Sequence, residues 1–136
     1  MNKVYSFALA AMVFAAMMQG CPENKKPVES KSASGNIIVY QPHPNDTITS
    51  PVTVAGKARV FEAAASTRVL SSDGRQLGIA HFMASRGAPD FGDFSAKVSF
   101  QVPAGVTQGI VEVYDNSAKD GSVIDLVRIP VRFGNQ

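Results

Sequence analysis

The chain has 136 residues, of which 45% are hydrophobic and 18% charged, and its net charge is +2. That length accommodates one domain plus short extensions, and the apolar share excludes disorder throughout. Lysines and arginines are interspersed with acids rather than gathered into a phosphate-tracking stripe, so nucleic acid is not an implied partner.

The first twenty residues read as an export leader. Lys3 and the free amine form a short positive region, an unbroken apolar run covers residues 8–18, and Gln19 and Gly20 precede Cys21. The run is too short to span a bilayer as a helix, which takes about 20 residues; an uncleaved, tilted anchor is the alternative. Cys21 is the only cysteine, so it has no partner for an intrachain disulfide. Met18, Gln19, Gly20 and Cys21 resemble the lipobox of bacterial lipoproteins, and the resemblance implies cleavage after residue 20 and attachment of diacylglycerol to the Cys21 thiol. A stray cysteine in an ordinary signal peptide is the plainer reading. Residues 21–35 then form the expected disordered tether, "CPENKKPVESKSASG", which has too little apolar surface to offset its ordering entropy.

From residue 36 to 136 the pattern is that of an all-β domain, with short alternating runs punctuated by Gly, Pro, Asn and Asp. Seven strands are predicted. The first covers 37–41 and ends in the turn "PHPND"; the second, 52–60, places Val52, Val54, Gly56, Ala58 and Val60 on one face. Residues 67–71 close in "SDG", and 77–83 return with Leu77, Ile79, His81 and Met83 on one face. Residues 96–102 alternate most clearly, 110–114 follow, and 123–133 end the set with Pro130 suggesting a sheet edge. "EAAAS" is at best one helical turn.

The blocks "VYQPHPNDTITSPVTVAGKARVFEA", "RGAPDFGDFSAKVSF", "VEVYDNSAKDGS" and "VRIPVRF" resemble the immunoglobulin-like domain of bacterial spore-germination proteins, which also occurs in many bacterial lipoproteins. The resemblance implies a seven-stranded antiparallel immunoglobulin-like β-sandwich without a disulfide. It also implies a non-catalytic binding or assembly module of the cell envelope, with no catalytic residues to carry over. The expected setting is extracytoplasmic, held to the membrane by the N-terminal lipid, on the outer membrane where the organism has two. Partners are expected among envelope proteins, peptides or glycans. An accessory subunit of an envelope enzyme or transporter, or an enzyme with an unrecognised site, is the alternative.

Other chemistry has little to build on. His43 and His81 are the only histidines, lie in a turn and on a strand, and have no cysteine beside them, so no metal site is expected; His81 is expected to be a partly buried sheet residue. Asn45, Asp46, Asp115, Asn116 and Asp120 lack the calcium-loop spacing. No nucleophile elbow or phosphate-binding glycine loop occurs, so no cofactor is expected.

If the strands follow immunoglobulin order, the loops after the second, fourth and sixth emerge at one end of the sandwich. They carry the candidate binding residues: Phe61 and Glu62; Arg86, Asp90 and Phe91; Lys119 and Asp120. Glu62 and Lys119 are candidates for an ion pair. The competing account is structural, with "SAKDGS" a hairpin turn, Glu62 bridging to Lys119, and the two phenylalanines capping the core.

Overall fold

The computed structural model describes residues 29–135. The predicted leader, Cys21 and the first part of the tether lie outside those residues. Among the described residues nine strands form two sheets: β1 (Ser30–Lys31), β2 (Ile37–Gln41), β4 (Val52–Ala58) and β7 (Gly92–Val98) in one, and β3 (Thr47–Ile48), β9 (Val123–Phe133), β8 (Gln108–Asn116), β5 (Ala64–Ser71) and β6 (Gln76–Met83) in the other, each in that spatial order. All pairings are antiparallel except the parallel contact of β3 with β9. This is the expected immunoglobulin-like sandwich. Among the described residues no helix is long and apolar enough to cross a membrane.

Period-two alternation produces the core. Val52, Val54, Ala58, Ala96 and Val98 point inward from one sheet and meet Val69, Val111, Val113, Val127, Ile129 and Val131 from the other. Phe82 of β6 and Phe94 of β7 stack across the gap with centroids 4.3 Å apart and 17° between planes. Each buried valine, isoleucine or phenylalanine contributes about 1.5–3 kcal/mol when it leaves water, and these contributions close the interior across the two sheets.

Several expectations shift. Two strands beyond the predicted seven appear, β1 and β3, each only two residues long. Residues 30–35, assigned to the tether, instead form a hairpin with β2: Ser30 pairs with Val39, and the buried Ser32 hydroxyl accepts the Ile37 N–H at 3.1 Å. The last strand is one in from the edge, because β3 pairs beyond it. Pro130 is still tolerated there: its carbonyl accepts the Asn45 N–H at 2.7 Å on the β3 side, where the ladder itself reaches only Arg132 and Phe133. β6 shows the predicted alternation from Ile79 to Met83, with Ala80 and Phe82 turned to the core. Ile79, His81 and Met83 face outward, Leu77 packs against the core at the register shift opposite Val69 and Leu70, and His81 is exposed rather than partly buried. Period two cannot say which face is buried. Gly78 decides it, since the Ser99 carbonyl lies where its Cβ would be.

The outer face of the larger sheet carries a cross-strand row. Glu112 on β8 is buried and receives Arg68 of β5 at 2.7 Å and Arg128 of β9 at 3.1 Å, its register partners on either side. Arg68 also lies over the Tyr114 ring, 4.7 Å from its centroid.

Gly56 on β4 pairs with Val39 of the neighbouring β2 beside a register shift, and an added Cβ would collide with the Ile38 carbonyl. Gly56→Ala should therefore cost about 1–3 kcal/mol through overpacking. Urea denaturation of the variant should show a lower midpoint with an unchanged slope; an unchanged midpoint would contradict the close approach.

Candidate functional site

Three turns meet at one end of the sandwich, as the strand order requires. Between β4 and β5 the chain makes a single 3-10 turn, Phe61–Ala63, in which Glu62 and Ala63 adopt left-handed backbone with φ of 54° and 60°. Such geometry costs non-glycine residues of the order of 1 kcal/mol each and persists where surroundings impose it. Here the 84–91 loop imposes it. The Ala84 N–H donates to the Ala63 carbonyl and the Ala88 N–H to the Val60 carbonyl, both at 2.8 Å, while a Cβ at Gly87 would lie 2.9 Å from the Ala63 nitrogen. The pinned turn leaves the Phe61 ring 65% exposed.

Beside that turn lies a cleft of about 470 Å³, bounded by Phe61 and Glu62, the start of β5, the end of β6, and Asp115, Asn116 and Ala118 at the β8–β9 hairpin. Phe61 and Met83, the latter 69% exposed, stand at its rim beside Glu62. Its more buried lining mixes Ala65 and Phe82 with Ser66 and Asp115. The Ser66 hydroxyl and His81 Nδ1 lie 2.7 Å apart, and no carboxylate hydrogen-bonds to that histidine among the described residues, so the orienting acid of a nucleophilic triad is missing from them. Asp115 is 9% exposed. Burial pushes its carboxyl above the usual carboxylate range, the Asn116 N–H donated at 2.7 Å opposes that shift, and the charge of Asp125 adds to it. Among the described residues no cation pairs with Asp115.

The structure brings some of the predicted residues together and separates others. Phe61 and Glu62 line the cleft. Lys119 and Asp120 sit in the neighbouring hairpin, but Glu62 and Lys119 form no ion pair among the described residues and both are exposed. Asp120 holds the turn: its carboxylate accepts the Ser122 hydroxyl at 2.7 Å and the Ser122 N–H at 3.0 Å, and these bonds keep it below the usual carboxylate range. Arg86 and Asp90 are exposed on the 84–91 loop and do not line the cleft. Phe91 instead receives the Arg59 guanidinium 4.8 Å from its ring centroid. Arg59 also donates twice to the Asn36 side-chain oxygen, and Asn36 and Ser34 both donate to Asp125, a network that ties β4, the β1–β2 turn and β9 together.

Sequence reasoning missed Ser66, His81, Met83 and Asp115 as cleft residues. The alternation of β6 groups His81 with Met83 on one face, but only the approach of Ser99 to Gly78 makes that face the outer one. Nothing in the local sequence distinguishes Asp115 from a turn former. Among the described residues no three of His, Cys, Asp and Glu stand close enough to hold a metal ion.

The raised carboxyl of Asp115 fixes the sign of a pH effect. A group that binds its proton more tightly in the folded state makes stability fall as pH rises from the unfolded carboxylate range through the folded value, and the penalty is complete above that value. Asp115→Asn removes the charge and keeps an oxygen for the Asn116 N–H. The variant should be more stable than the parent at pH 7 and match it near the unfolded carboxylate range, about pH 4. Thermal melts at the two pH values check this, and a variant less stable at pH 7 would contradict it.

Comparison with known proteins gives a family match. The family described as the immunoglobulin-like domain of bacterial spore germination aligns with residues 36–122. No curated protein and no solved structure matches the chain. The aligned segment runs from the first residues of β2 to the hairpin after β8, which includes all three turns of the pole. With more than half of its length matched, the chain belongs to this family of immunoglobulin-like domains.

Proposed function

We propose that the protein is a non-catalytic binding module of the bacterial cell envelope, held to the membrane by a lipid on Cys21, and that the cleft at the loop pole is where it binds. The observation that carries this reading is the pinned turn: a strained backbone, fixed by a second loop, holds an aromatic ring out of the core beside a concave surface. Membership of an immunoglobulin-like family supports a binding or accessory role, and binding residues favour loops on a rigid scaffold. The leader and Cys21 support the anchor: two or three acyl chains at about 0.8 kcal/mol per buried methylene hold a protein at a membrane. The resulting location is extracytoplasmic, on the outer membrane in an organism with two. The partner is an envelope component met in trans, such as a protein or a peptide.

Two outcomes are expected. Cys21→Ser should move the protein from the detergent phase to the aqueous phase, and equal retention would contradict lipidation. Phe61→Ala should shift stability by less than about 0.5 kcal/mol, since the ring is exposed, while recovery of crosslinked envelope partners falls severalfold. Unchanged recovery would remove the cleft from consideration.

A further inference from the structure

We infer that the cleft takes a lysine or arginine side chain presented by an extended peptide of a partner protein, with Asp115 as its anchor. The inference rests on the cleft being the binding site and goes beyond it by naming what enters. The cleft holds two carboxylates, Glu62 at the rim and Asp115 on the floor, and no lysine or arginine lines it. Asp115 is nine-tenths buried, faces this space and accepts only the N–H of its own neighbour among the described residues. One Asp115 oxygen takes that N–H and the other is open to the cleft, where a cation would offset the burial that disfavours the charged form. Asp125, close enough to act on Asp115, cannot do so, since it is also an acid and is engaged by Ser34 and Asn36. The remaining titratable group, His81, is turned to Ser66 through Nδ1.

The rim matches the rest of such a side chain. A lysine or arginine stem is apolar and its head is cationic, and the exposed Phe61 ring and Met83 thioether offer an apolar collar for the stem. Glu62, held at the rim by its left-handed backbone, adds attraction during approach. A neutral or acidic side chain would leave Asp115 unpaired and gain only the collar.

The test uses the full chain in a neutral detergent at pH 7 and three fluorescently labelled or competing probes: acetyl-Leu-Lys-Leu-amide, the same peptide with norleucine replacing lysine, and n-pentylamine. Anisotropy should show saturable binding of the lysine peptide and roughly tenfold or weaker binding of the norleucine peptide, the ratio expected for one charge-assisted hydrogen bond. Asp115→Asn should erase that preference while leaving the norleucine peptide unaffected, and Phe61→Ala should weaken both peptides alike. Pentylamine should compete at least tenfold less well than the lysine peptide. Equal affinity for the two peptides, a preference that survives Asp115→Asn, or no saturable binding of the lysine peptide overturns the inference; pentylamine competing as well as the peptide overturns the peptide as occupant. Loss of partner capture in Phe61→Ala together with indifference to charge would leave the cleft as the binding site and remove only its preference for a cation.

Discussion

Closing two sheets on one apolar interior without any covalent staple is the constraint from which the rest of the structure follows. The chain has a single cysteine, so no disulfide can join the sheets within it. Burial alone must hold them, and it requires β4, β7 and β9 to keep strict alternation through the middle of the sandwich. Where backbones approach most closely, side chains are deleted, as at Gly56 and Gly78. The ends of the strands are fixed as a result, and so are the turns that leave them.

Polar groups fasten what burial leaves loose. The row of Arg68, Glu112 and Arg128 crosses three strands of the larger sheet on its outer face, and the Arg59, Asn36 and Asp125 network joins the two sheets near the loop pole. Asp115 is the exception. It is buried at the same pole, its ionised form is disfavoured by burial, and among the described residues no cation relieves it. A charge kept at the expense of stability, beside an exposed aromatic ring on strained backbone, is the pattern expected where function rather than folding selects the residue.

Much of the fold was legible in the chain because alternation is a property of single strands. The bounds of the first and last main strands follow from it, as does the inward face of 52–60. The short β1 and β3 were not legible, since two-residue strands exist only through pairing with distant partners, and the hairpin of residues 30–35 depends on a buried serine hydroxyl rather than on apolar content. Strand order placed the three loops at one pole and thereby found Phe61 and Glu62. It missed the floor of the cleft for a physical reason: Ser66, His81 and Asp115 come from three adjacent strands, and the way β6 faces is set by the approach of Ser99 to Gly78, a contact between sheets. The expected Glu62 and Lys119 pair fails because each loop is held internally, one by the 84–91 loop and the other by Asp120 and Ser122.

The central claim is that partners meet this protein at the cleft and not on its sheet faces. Photo-crosslinking in living cells tests it most directly, with benzoylphenylalanine placed at Phe61 or Met83 on the rim, at Lys97 on the outer face of the smaller sheet and at Arg128 on that of the larger. Crosslinks to a common partner from the two rim positions, with none from the sheet positions, is the result this account predicts. A partner caught from position 97 or 128 and never from the rim would contradict it.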